Sequence, residues 1–318
     1  MNSTVRNSMV PLVLMSMVAC ATVEEVQTAD AVRAPAVSPS LAQEGRRRLK
    51  KKIAIARFTN ETLYGKSALL AEKADLVARQ ASDMLATRLT QTGKFIMFEV
   101  PDSEKVLQLV GQGEMSKMGI PADYLIVGSV SEFGRKTTGE TGFLSRTKKQ
   151  VAYAKVNVRL VSTRTGQVIF ATEGAGEAEL EVGTVMGMGT KADYDSTLND
   201  KAISAAISKV TSNLVEKLDG DPWRSYVLDA QDGKVIIAGG PSQGLEEGMR
   251  LRLVKRGKTV VNPQTNLPVE LPGSEVAIIE IESTSGNSPN DEIAVCKVVS
   301  GSIEGVDRQN FFVEEVSR

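Results

Sequence analysis

Apolar and polar positions alternate along this chain with periods that change from segment to segment. Lys52-Ile53-Ala54-Ile55-Ala56-Arg57-Phe58 alternates large and small apolar residues and predicts a buried strand. Between Ser67 and Thr92, the positions Leu70, Ala74, Val77, Ala81, Met84, Leu85 and Leu89 recur at helical spacing, so one face of a helix should pack on that strand, with Gly93 ending it. Phe95 to Val100 reads as a second strand. Ser103 to Gly111 reads as a short helix capped by Asp102 or Ser103, and Tyr124 to Val130 as a third strand. A strand, helix, strand, helix, strand order predicts an α/β sheet-and-helix core.

Further on, Ala154, Val156, Val158 and Leu160 alternate with Lys155, Asn157 and Arg159 as on a half-buried strand. Thr163-Arg164-Thr165-Gly166 supplies a turn, and Val168 to Phe170 the returning strand. Ile203, Ile207, Val210, Leu214 and Leu218 lie on one helical stripe, with Asp195 or Ser196 as cap and Gly220 as stop, which makes that helix core. Gly176 to Gly183 alternates strictly: Glu177, Glu179 and Glu181 share one face, and Ala178, Leu180 and Val182 share the other. A lumen-in, lipid-out strand of a membrane barrel gives that pattern, and so does a soluble amphipathic strand. Beyond Asp221-Pro222-Trp223, short apolar runs at 234–240, 248–254, 276–281 and 294–299 are punctuated by turns and predict a small antiparallel barrel or sandwich over 221–318.

The N-terminus changes the picture of where this fold resides. Only Arg6 is charged among the first nineteen residues, and the apolar run from Met9 to Ala19 is too short for a transmembrane helix but suits a secretion signal. It ends Met17-Val18-Ala19-Cys20, which resembles a bacterial lipobox. The resemblance implies that residues 1–19 are removed and that Cys20 is acylated, which tethers the chain to outer-membrane lipid with enough acyl chain for stable anchoring. Ala21 and Thr22 follow in place of the Asp that retains such proteins in the inner membrane, so the expected location is the periplasmic face of the outer membrane. An ordinary signal peptide followed by a chance cysteine is the competing reading. Residues 20–50 read as a flexible lipid-anchored tether, closing on the basic run Arg46 to Lys52. That run is either a solvated approach to the first strand or a contact for lipid phosphates.

Charge and chemistry then narrow the function. Without residues 1–19 the chain holds 37 basic and 39 acidic side chains, a balance that suggests no nucleic-acid partner. The one other cysteine, Cys296, sits in an apolar run and reads as a buried thiol, so no internal disulfide forms once Cys20 is acylated. The chain has no histidine, which removes Ser-His-Asp and Cys-His catalysis and His-ligated metal sites. Gly187-Met188-Gly189 lacks the third glycine and the preceding strand of a dinucleotide fingerprint and reads as a turn. The three glutamates on one strand point in parallel and do not converge on a cation. No catalytic residue, metal or cofactor is expected, and the chain is read as a non-enzyme.

Taken in order, Ala122 to Val130, Val156 to Val161, Thr165 to Ile169, Tyr194-Asp195-Ser196 and Lys201 to Ile207 resemble the core of the curli secretion channel lipoprotein family, of CsgG/HfaB type. That resemblance covers about residues 50–218. It implies a homo-oligomeric ring of lipoproteins, each inserting two β-hairpins into one closed outer-membrane barrel, here near 130–156 and 171–195, with a secreted or surface-anchored protein as substrate. The polar runs Arg135 to Glu140 and Arg146 to Gln150 depart from a lipid-facing pattern, and both hairpin regions look short for channel members. Gly239 to Leu245 with Gly248 resembles the C-terminal module of flagellar-assembly lipoprotein-like periplasmic proteins, so 221–318 is an addition to the 51–220 core. Two functions are therefore expected: a ring that exports or anchors an extracellular fibre or adhesin, or a non-pore periplasmic platform for an envelope machine.

Overall fold

The structure is a computed structural model that describes residues 49–62, 71–100, 105, 108, 119, 121–141, 145–185, 197–264 and 268–316. Its centre is β1 (Lys51–Ala56), in which every residue is buried. Parallel neighbours flank it, β3 (Phe95–Val100) on one side and β4 (Tyr124–Thr141) on the other, with Ile53 opposite both Met97 and Tyr124. A strand buried on both faces needs an apolar run without a polar side, which is why the segment alternates in size instead of in polarity. Ile53 and Ile55 enter the large cluster beneath two helices, while Ala54 and Ala56 pack with Leu125, Val127 and Val161 on the opposite face. The short β2 (Thr59–Asn60) continues the pairing with β4 at Ser129 and Val130.

From β4 the chain folds back as β5 (Ser145–Ser162) and again as β6 (Val168–Val185), giving the sheet order β3-β1-β4-β5-β6. These last three strands are 18 residues each and antiparallel, so they form a blade about 60 Å long at the usual strand rise. Sequence reasoning expected two separate hairpins near 130–156 and 171–195. The first is the β4–β5 pair. Over the second, the described residues to Val185 are one strand in register with β5, from Leu160↔Phe170 to Ser145↔Val185, and the rest lies outside the described residues. A period of two does not reveal whether a polar run continues a strand or turns it back, and here pairing to β5 continues it.

Helix α1 (Ala71–Gln91) and helix α2 (Thr197–Gly220) cover one face. Helix α1 buries Ala78, Ala81, Leu85 and Leu89, and Gly93 follows at φ +68°, the left-handed conformation that ends helices. Helix α2 buries Ala202, Ile203, Ala206, Ile207, Val210, Leu214 and Leu218, the stripe its spacing predicts with two small residues added. The helices are tied to each other by Arg88, which donates to the Ser204 carbonyl at 2.7 Å and to the hydroxyls of Ser204 and Ser208 at 2.6 and 2.5 Å. The helix expected over Ser103 to Gly111 lies outside the described residues apart from Lys105 and Gln108, which are helical.

After α2 the chain builds a closed antiparallel barrel whose strands pair in the cyclic order 274–285, 293–301, 234–238, 224–231, 311–315 and 250–255. Its strands are β7 (Arg224–Gln231), β8 (Lys234–Ala238), β9 (Arg250–Lys255), β12 (Ser274–Ser285), β13 (Ile293–Gly301) and β14 (Phe311–Glu315), with the β10 (Thr259–Val261) and β11 (Pro268–Glu270) hairpin outside it. Closure resolves the choice between barrel and sandwich and leaves no open edge. Asp232-Gly233 turns β7 into β8 with both φ positive, the two-residue hairpin geometry that an Asp-Gly pair favours. The core holds Trp223, Ile237, Leu253, Ile279, Val313 and Cys296, whose thiol burial pushes up to about 12, so it is the inert core thiol that the apolar run predicts.

One contact fixes the helix layer. At Gly174 and Gly176 of β6, an added Cβ would stand 2.2 Å from the Ala206 and Ala202 carbonyl oxygens respectively, so α2 rests on the strand backbone to backbone. Gly174→Val is expected to lower the unfolding free energy by about 3 kcal/mol, because overpacking there forces a helix and not a side chain to move. Chemical denaturation checks this.

Candidate functional site

Three regions bear on function. Cys20 lies outside the described residues. The glutamate-rich strand is the outer part of β6, and its two faces differ in surroundings. Ala178 and Leu180 are partly buried and pack against the helix-covered core. Glu173, Glu177 and Glu179 are exposed on the other face. There Glu179 pairs with Lys149 at 2.7 Å, and Lys155 bridges Glu173 at 3.2 Å and Glu132 at 3.8 Å. Exposed pairs of this kind contribute at most about 1 kcal/mol each, so they decorate the blade more than they hold it. Glu181 and Val182 continue the strand, opposite Lys149 and Lys148. Among the described residues no cluster of carboxylates or thiols is arranged for a metal ion.

Along its outer side β6 has no strand partner among the described residues, and β4 has none beyond Val130 on the side away from β5. Among the described residues the blade therefore presents two edges without a strand partner, the kind of surface that pairs with another chain unless something covers it.

The third region lies where α2 ends and the barrel begins, and periodicity gave no sign of it. Lys51 is buried within the sheet yet sends its ammonium to the C-terminus of α2, donating to the carbonyls of Leu218 and, at 2.6 Å, Asp221. A cation there satisfies carbonyls that the helix leaves open and meets the negative end of its dipole. Beside it, Asp123 exchanges bonds with Lys52: the Lys52 N–H donates to Asp123 Oδ2 at 3.1 Å, and the Asp123 N–H donates to the Lys52 carbonyl at 2.8 Å. Burial pushes the Asp123 carboxyl up to about 6, against the lowering effects of that donated N–H and of the Lys52 and Lys51 charges. Burial also lowers the Lys52 ammonium.

Around these groups opens a cleft of about 340 Å³ between sheet and barrel. Arg164, from the β5–β6 turn, and Lys217, from α2, stand on the sheet side; Arg224, Tyr226, Arg256 and Phe312 stand on the barrel side. Lys217 bonds Asp221 at 3.0 Å. Arg224 is held by its Nε to Glu314 at 2.7 Å, and Arg256 by its Nε to the Gln309 carbonyl at 3.0 Å. Both guanidiniums lie over the Phe312 ring, 5.0 and 5.2 Å from its centroid. Burial raises the Tyr226 hydroxyl, as does Asp123, while Arg256 and Arg164 pull it down. Sequence could have flagged Arg164 in its turn; the rest converge only through the fold.

Comparison with known proteins now adds the family. Residues 35–247 match the model of the curli production assembly/transport component CsgG, a stretch that takes in the α/β sheet, both helices and the first two barrel strands. The chain belongs to this family. It is 32% identical over 175 residues to a protein of Neisseria meningitidis serogroup B named as a lipoprotein, NMB1126/NMB1164, covering 54% of this chain and 78% of that one. Among solved structures, the PelC dodecamer from Paraburkholderia phytofirmans is 17% identical with a TM-score of 0.30, covering 54% of this chain and 93% of that one. Lipoprotein GNA1162 from Neisseria meningitidis is 15% identical with a TM-score of 0.26, covering 54% and 99%. The CsgG family and the meningococcal relative are named for assembly, transport and lipid attachment, and neither for an enzyme.

A carboxyl with a folded pKa above its unfolded one favours the folded state below the unfolded value, and that contribution is lost as pH rises through about 6. Between pH 4 and pH 7.5 the wild-type chain is expected to lose about 2 kcal/mol relative to Asp123→Asn, read as the difference between their urea-unfolding free energies at the two pH values.

Proposed function

We propose that this CsgG-family chain is an outer-membrane lipoprotein, held by acylated Cys20 on the periplasmic side, that assembles with identical copies to export or anchor an extracellular fibre or adhesin. The observation that carries the reading is the blade: 18-residue strands, with outer edges on β4 and β6 that have no strand partner among the described residues beyond Val130, in a chain whose family is named for curli assembly and transport. Strand pairing between copies would satisfy both edges, since β4 and β6 run parallel to each other and present opposite sides of the same blade. The domain plan behind this is a signal peptide at 1–19, a tether at 20–50, a secretion-family core at 51–220 and an added barrel at 221–318.

Two observations favour the second reading, a non-pore periplasmic platform. The apolar side of β6 at Ala178 and Leu180 is spent on the chain's own core. Beyond Arg135, whose Nε bonds Asn199 near the start of α2 at 2.8 Å, six described residues of β4 remain, against roughly 9 to 11 for a bilayer-spanning strand.

The test is cryo-electron microscopy of the protein extracted in mild detergent, beside Cys20→Ala. A ring with density crossing the detergent belt is expected for the channel, and Cys20→Ala should move the chain from the membrane to the soluble fraction. Rings without crossing density, or monomers, would support the platform; a Cys20→Ala protein that stays with the membrane would overturn lipid anchoring.

A further inference from the structure

We infer that the cleft between the end of α2 and the barrel is a binding site for the carboxylate end of a peptide chain, with the Arg164, Arg224 and Arg256 guanidiniums taking the carboxylate and an apolar side chain lying against Phe312 and Ile169. This inference does not rest on ring formation. Its first support is charge. Five cations line the cleft, Lys51, Arg164, Lys217, Arg224 and Arg256, against two carboxylates, Asp123 and Asp221. A net positive concavity with low-dielectric walls draws in an anion.

Its second support is preorganisation. Arg224 and Arg256 come from different barrel strands or their ends, each is fixed at Nε by a partner outside the cleft, and both are stacked by one ring. Guanidiniums whose planes are fixed match a carboxylate fork at small entropic cost. The volume of about 340 Å³ falls at the small end of ligand sites and suits one or two residues of chain.

The remaining lining decides between anions. Ile169, Pro222 and Phe312 are apolar, which a bare phosphate does not use. Asp123 and Asp221 would repel a polyanion, but they are the acceptors that a peptide N–H behind the terminal carboxylate requires. A monoanion on an apolar body, with N–H donors beside it, satisfies all three kinds of wall.

Isothermal titration calorimetry on the mature lipidated chain in detergent, with acetyl-Gly-Gly-Phe as probe, tests this. The free-acid peptide should bind at least tenfold more tightly than its C-terminal amide. Arg164→Gln and Arg256→Gln, each confirmed folded by circular dichroism, should each weaken the acid at least tenfold, whereas Arg250→Gln, which faces Glu280 on the outside of the barrel, should leave it unchanged. Equal affinity for acid and amide, indifference to both cleft variants, full displacement by an equal concentration of inorganic phosphate, or no binding up to roughly 10 mM would each overturn the inference. If one variant fails to fold, the other decides.

Discussion

Backbone contact between helix α2 and strand β6 is the constraint on which the remaining architecture depends. Gly174 and Gly176 remove the side chains that would hold the helix away, and Ala202 and Ala206 do the same from the helix side. Close approach brings Ile203, Ile207, Val210 and Leu214 deep into the sheet, where they meet Ile53 and Ile55 of β1 and the inner face of β5. The two glycines fix where along β6 the helix can make this approach, since an added Cβ at either would stand 2.2 Å from a helix carbonyl oxygen. Its C-terminus is therefore delivered to one place, beside Lys51, and the barrel begins immediately after.

That delivery explains a charge placement that would otherwise be costly. Lys51 and Lys52 lie in a fully buried strand, and buried ammonium groups destabilise unless they are satisfied. Lys51 is satisfied by the Leu218 carbonyl in the last turn of α2 and by the Asp221 carbonyl just beyond it, and burial lowers the Lys52 ammonium while the Asp123 and Glu292 charges favour it. These bonds and the pair between Lys52 and Asp123 tie the first strand of the sheet to the end of α2 and to the residue that precedes β4. The entry to β1 adds to the junction: Lys50 donates its N–H to the Gln243 carbonyl at 2.8 Å, Gln243 returns a bond to the Lys50 carbonyl at 3.1 Å, and Leu49 packs on the barrel core. The barrel is fastened to the chain just before the first strand of the sheet and just after its last helix.

The blade shows the opposite economy. Among the described residues its outward face carries lysine-glutamate pairs in solvent, and its outer edges have no strand partner beyond the β1 and β2 pairing of β4. A surface so little committed to its own fold is suited to engagement by another chain, and the family's name for assembly and transport accords with it.

Much of this was legible in the residues alone. The all-apolar run of β1, the helical stripes of α1 and α2 and the alternation of β5 and β6 are short-range patterns, and period alone assigns them because burial acts on each element separately. The lipobox-like run that ends at Cys20 and the lack of histidine are likewise features of the chain itself. Sequence left open whether the glutamate strand turns its apolar face to lipid or to protein, since both environments reward the same alternation; the chain's own core takes Ala178 and Leu180. It missed β7 and β14, which pair with each other to close the barrel, and the β10–β11 hairpin outside it. It missed the cleft altogether, because Lys51, Arg164, Lys217, Arg224 and Arg256 are spread over more than 200 residues and only the meeting of helix end, sheet end and barrel wall brings their charges together. Local period determined the elements; the long-range contacts that period does not encode decided which of their polar groups face one another.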